Sequence, residues 1–323
     1  LLSWFRPRSR NTAADAEVGA AIERIIESVD PRLRAVGGYR KRLARPAARA
    51  LEFARELVAR LPAPLALRAD LWTGDAQLRA FFATARDVRD VVSRGPEPRT
   101  FFAGAARDDA LAILGMTRKQ QTVLAQALEG DTVRRDVPRV SVSFSDHRLA
   151  SPSASEAELR RELEGRVLDF IAARAAARLG EIDERRKALE HERDVLKARF
   201  RLAGSGAKGI EPAVGEADLE AKLAANEARL RETQAALGSL DDRLALAAET
   251  VGAPEKEFAV AVHTLRLDQM NFVADAGADA AAVTFVEATA AGGETSRVFV
   301  PVRVFRSELA PQGATLADAE RYL

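Results

Sequence analysis

In the middle of the chain, apolar positions recur at alternating steps of four and three. Leu223, Leu230, Leu237, Leu244 and Val251 repeat every seven residues, and Leu219, Asn226, Thr233, Leu240 and Ala247 repeat in step four residues earlier. This is the spacing of a coiled-coil seam, with Asn226 and Thr233 as polar members able to set register. An earlier, densely charged run from about Glu156 to Leu202 has the same period at Leu168, Ala175, Ile182, Leu189 and Leu196. Its companion positions are poorer, since Arg186 and Arg193 fall among them. Gly204-Ser-Gly206-Ala-Lys208-Gly209 separates the two runs, which predicts an antiparallel helical hairpin with its tip near 203–215. At 1.5 Å per residue its helices reach about 70 Å and about 50 Å, so the longer one bends or leans elsewhere. The alternative is dimerisation through the second helix.

The pattern from Thr12 to Leu128 is helical throughout. Ile22, Ile25, Ile26 and Val29 form a stripe that Asp30-Pro31 ends. Pro46 is placed in the first turn of a helix presenting Leu51, Phe53, Leu57, Val58 and Leu61, which Pro62 and Pro64 stop. Asp75 is a cap for a helix carrying Leu78, Phe81, Phe82, Val88, Val91 and Val92, and Gly95-Pro96-Glu97-Pro98 reads as a loop. A last helix is expected from about Asp108 to Leu128.

Alternation of period two then takes over. Val140, Val142 and Phe144 alternate with serines, Phe258, Val260 and Val262 with small residues and His263, and further strands are expected near 283–288 and 298–305. A hairpin loop is read at Ala290–Ser296, and Pro301 suggests an edge strand or bulge. Ser153 or Ser155 caps the long helix, and Ser155-Glu156-Ala157-Glu158 is close to a capping box.

The predicted fold is therefore α+β, mainly α: an N-terminal helical domain and a small antiparallel β-sheet with an inserted antiparallel coiled-coil hairpin. The boundaries are a basic and apolar segment 1–11, a helical domain 12–136, a β domain from 137–152 and 253–310, the hairpin 153–252, and a tail 311–323.

Composition narrows the function classes. The chain of 323 residues has no cysteine, which removes disulfides and thiolate metal sites and suits a reducing cytoplasm. No apolar run reaches the roughly 18 residues of a membrane span. The abundance of Ala, and of Arg over Lys, reads as a bacterial genome rich in GC.

Net charge is +1, but residues 1–50 carry eleven Arg/Lys against five Asp/Glu, and residues 201–300 carry nine against sixteen. Arg32, Arg34, Arg40, Lys41, Arg42, Arg45 and Arg49 follow one another without an intervening acid. They form a candidate basic patch for a protein partner or an anionic membrane surface, with Trp4 and Phe5 nearby, and less readily for nucleic acid. The plainer reading is a solvated face that complements the acidic region of the same molecule.

His147, His191 and His263 have no ligand-spaced partners, and no nucleophile elbow accompanies them. The glycine-rich tip lacks the order of a phosphate loop. No catalytic, cofactor-binding or metal residue is assigned. The leading expectation is a cytoplasmic, non-enzymatic scaffold or adaptor that binds proteins through stalk and helical domain. The alternatives are a membrane-associated factor, or an enzyme with a site drawn from Asp146, His147, His263 and Arg266.

Overall fold

A computed structural model describes residues 12–129, 132–204, 216–274, 280–291, 293 and 296–310. Most of the expected tip, the segment 1–11, the turn Asp275–Asp279 and the tail 311–323 lie outside them. The chain is an α+β protein with more helix than strand, and its sheet is antiparallel apart from one short parallel pair. It divides into two compact units, Leu1–Phe53 with Arg166–Glu257, and Ala54–Gly165 with Phe258–Leu323.

The first unit is helical. It contains α1 (Thr12–Val29), most of α2 (Tyr39–Ala59), and, further along the chain, most of a 49-residue helix with its two successors. Asp30 caps the short 3-10 turn Pro31–Ala35 by accepting from the Arg32 amide, so α1 ends where the Asp-Pro pair predicts. Gly38 has φ 69°, the left-handed conformation that costs a side chain about 1 kcal/mol, and reverses the chain into α2. Pro46 lies inside α2 and not in its first turn. It forgoes one helix hydrogen bond, and its ring packs beside Gly252, 3.6 Å from the glycine's ideal Cβ.

The second unit is a sheet with helices on its core face. Its elements are β1 (Leu65–Leu67), α3 (Ala76–Phe81), α4 (Ala85–Arg94), α5 (Pro96–Gly104), β2 (Asp109–Glu129), β3 (Thr132–Ser153), β4 (Phe258–Leu267), β5 (Ala281–Ala290) and β6 (Ser296–Phe305). The strand order is β3-β2-β6-β5-β4, with β1 joining β6 in parallel. Asp75 caps α3 as expected, accepting from Gln77 and Leu78 amides, but the helix it begins ends at Phe81, and Val88, Val91 and Val92 belong to α4, which Thr84 caps in a reciprocal box with Asp87.

Two expectations are corrected here. Gly95-Pro96-Glu97-Pro98 is a helix start, with Gly95 the cap and Pro96 at the first helical position, where a missing N–H costs nothing. The segment from Asp109 to Glu129 is a strand and not a helix. Its Ala, Leu and Gln residues favour helix intrinsically, but pairing with β6 over Asp109–Met116 and with β3 along its length overrides that preference. Ala110, Ala112, Ile113, Leu114 and Met116 are buried almost in succession, as in a strand covered on both faces.

Pro301 sits in an interior strand. Its pairing with β2 is intact, and on the other side β6 pairs with β5 up to Phe299 and with β1 from Val302. The proline occupies the point where the neighbour changes, so no ladder bond is missed. The core face gathers Leu78, Phe81, Phe82, Val88, Phe102, Leu114, Phe285 and Val300 into one cluster.

Candidate functional site

The long helix α6 (Glu156–Gly204) starts at Ser155, whose hydroxyl accepts from the Glu158 amide. It is followed by α7 (Glu216–Leu237) and α8 (Leu240–Gly252). The repeat at 219–251 thus spans two helices. Ser239 caps α8 in a reciprocal box with Asp242, and Gly238 approaches the Gln234 carbonyl so closely that a Cβ would lie 2.6 Å from its oxygen.

The positions of that repeat still face inward. Leu219, Asn226, Leu230, Leu237, Leu244, Ala247 and Val251 are buried, while Leu223, Thr233 and Leu240 are half-buried. On α6, Leu168, Ala175, Leu189 and Leu196 are buried and Ile182 is half-buried. Polar contacts step in opposite directions along α6 and along the α7–α8 segment. Arg178 donates to Thr250 Oγ1 at 3.2 Å, Arg243 pairs with Asp183, and Asn226 Nδ2 donates to the Leu189 carbonyl at 3.2 Å and to Glu192 at 2.8 Å. Asn226 is 3% exposed, and its Oδ1 has no hydrogen-bond partner among the described residues. The Arg243 guanidinium holds the Asp183 carboxyl below its usual range.

The basic run is largely neutralised inside its own unit. Arg32 forks onto Asp30, Arg34 pairs with Glu23 and Glu27, and Arg40 shares Glu23 with the Tyr39 hydroxyl. Arg42 pairs with Asp241 at 2.6 Å, and Arg49 reaches Glu52 and, at 3.9 Å, Glu255. Lys41 and Arg45 are exposed. The pairs to Asp241 and Glu255 join this face to the acidic stretch. Such exposed pairs are each worth about 0–1 kcal/mol.

The histidines serve different surroundings. His147 Nε2 lies 2.7 Å from the Phe81 carbonyl, and its ring stacks on Phe82 at 4.8 Å. Burial lowers its pKa below the ordinary value, which favours the neutral ring donating to that carbonyl. Asn271 Nδ2 donates to Ala80 O and Trp72 Nε1 to Phe82 O, so three side chains satisfy three successive carbonyls at the end of α3. Asp146 instead pairs with Arg297 and Arg148. His191 is exposed on α6.

His263 lies 3.4 Å from Glu287, a buried carboxylate that also accepts from Arg118 at 2.9 Å and from Ser296 at 2.8 Å. Sequence reading overlooked this cluster. Its one legible sign was Glu287 continuing the buried alternation of Val283 and Phe285. In this order the carboxylate lies between serine and histidine, so the histidine cannot take the hydroxyl proton as a triad requires.

A shallow cavity of about 490 Å³ is lined by Pro96, Glu97, Thr100, Phe101 and Pro152. A smaller one of about 80 Å³ has Arg79, Asp268 and Asn271 among its walls. Neither is lined by Asp146, His147, His263 or Arg266. Among the described residues no cluster of three metal-binding side chains is present, and no helix is long and apolar enough to cross a membrane. No family model, curated protein or solved structure matches the chain.

Proposed function

We propose that this chain is a non-enzymatic scaffold or adaptor, and that α6 and α7 pack as an antiparallel coiled-coil hairpin whose outer surface binds another protein. The observation that carries the reading is apolar side chains left exposed on the far part of α6. Val195 is 37% and Phe200 38% exposed, beyond the Asn226 contacts at Leu189 and Glu192. A 49-residue helix extends about 73 Å, and aromatic residues at an exposed surface make effective anchors.

The test is crosslinked capture from the source cell by the full chain and by a Val195→Glu/Phe200→Glu double variant. Captured candidates are then purified and titrated against both. A partner that binds the intact chain at least tenfold more tightly than the double variant supports the proposal. Equal binding by both, or no partner that survives purification, overturns it.

A further inference from the structure

The far part of α6 carries a second stripe besides the one that faces inward. Ala188, His191, Val195, Ala198 and Leu202 recur at steps of three and four, and every one of them is exposed. At about 100° per residue they lie on the side of the helix turned away from the buried Leu189 and Leu196. Val195 is 37% and Leu202 67% exposed, so aliphatic side chains meet water at regular helical spacing on this face.

The charges beside the stripe differ in what they already hold. Its acids are engaged: Glu184 pairs with Lys187 at 2.8 Å, Glu192 accepts from Asn226 at 2.8 Å, and Asp194 pairs with Arg193 at 3.0 Å. Arg185 and Arg199 lie on one flank and Arg201 on the other. None of these three has a hydrogen bond or ion pair among the described residues, and all three are exposed. The free charge along this face is therefore cationic.

We infer that the stripe is the docking face for an amphipathic helix of another protein, one whose own apolar stripe is flanked by Asp and Glu. This names the partner class for the surface proposed above and rests on that reading. The step pattern selects a helix, because side chains spaced by three and four form a ridge that fits the groove of a second helix crossing at about 20°. The small Ala188 and Ala198 let the two axes come close. From 188 to 202 the stripe spans about 21 Å, so the partner contributes about four turns. The free guanidiniums select its charge. Acidic flanks on the partner pair with Arg185, Arg199 and Arg201, whereas basic flanks add repulsion to cations that have no counter-charge beside them. A second copy presenting the same face would bring the same three cations with it. An anionic membrane holds a helix by its buried apolar area, which two alanines, a histidine, a valine and a leucine scarcely supply.

The test titrates the full chain into two fluorescent 21-residue peptides, read by anisotropy at low salt. Both have three heptads with leucine and alanine on the seam; one carries glutamate on its flanks and the other lysine. The glutamate peptide should bind at least tenfold more tightly and weaken as salt rises. Arg185→Glu/Arg199→Glu/Arg201→Glu should reverse the order of the two peptides, and Val195→Ser/Leu202→Ser should weaken the glutamate peptide at least tenfold. These positions are exposed, so circular dichroism should not change. If the triple variant fails to fold, glutamine at the same three positions replaces it and should bring the two peptides within threefold. Equal binding of the two peptides overturns the inference. So does binding of neither, and co-sedimentation with phosphatidylserine vesicles would then point to a membrane instead. If a purified cell partner is lost on Val195→Glu/Phe200→Glu while the two peptides bind equally, this inference falls and the earlier proposal stands.

Discussion

Replacing Asn226 by leucine should stabilise the helical unit. Asn226 is buried, its Nδ2 makes two hydrogen bonds, and its Oδ1 makes none among the described residues. A buried acceptor left without a partner costs about 1–3 kcal/mol. Removing the amide strands little. The Leu189 carbonyl is inside α6, where a helix partner already serves it, and Glu192 is exposed, so its carboxylate returns to water. A buried leucine adds roughly 1.5–3 kcal/mol of transfer free energy, part of which is lost where the larger shape fits imperfectly.

The net expectation is a gain of about 1–2 kcal/mol, or roughly a 5- to 30-fold rise in amide protection. Hydrogen exchange on α7 and the facing part of α6 is the right assay, because a chain of two units does not unfold in one transition. Asn226→Ala, which removes the bonds and leaves a void, should instead lose about 1 kcal/mol. If Asn226→Leu lowers protection, the amide's two bonds outweigh its orphaned oxygen, and the reasoning fails.

Other outcomes follow from single sites. Glu287→Ala leaves the half-buried Arg118 unpaired and should destabilise the sheet unit by about 3 kcal/mol in urea unfolding, while Arg118→Met/Glu287→Leu together should recover most of that loss. Gly238→Ala should cost about 1–3 kcal/mol, read as lower protection in α8, because its Cβ would meet the Gln234 carbonyl. Burial lowers the folded pKa of His147, so the unfolded chain takes up its proton first. The stability from the neutral ring is complete above about pH 6.5 and declines as pH falls toward the lower folded value. His147→Gln should flatten that part of the stability profile.

What could be read in advance was whatever local chemistry alone decides. Asp75 before α3, Ser155 before α6 and the Asp30-Pro31 stop are short-range hydrogen-bonding signals, and each acts in the structure. β2 was misread because its decision is not local. Residues rich in Ala, Leu and Gln become a strand only when β3 and β6 supply ladders from the far ends of the unit. The buried ion pair was hidden for the same reason, since Arg118 and Glu287 stand 169 residues apart. The break between α7 and α8 is the instructive case. The seven-residue repeat runs unbroken through Gly238 and Ser239, yet Ser239-Leu-Asp-Asp242 is a capping box in plain sight. A repeat reports which side chains face inward and says nothing of whether the backbone beneath them is one helix. Leu237 and Leu240 stay on the inward side across the junction, so burial was legible even where continuity was not.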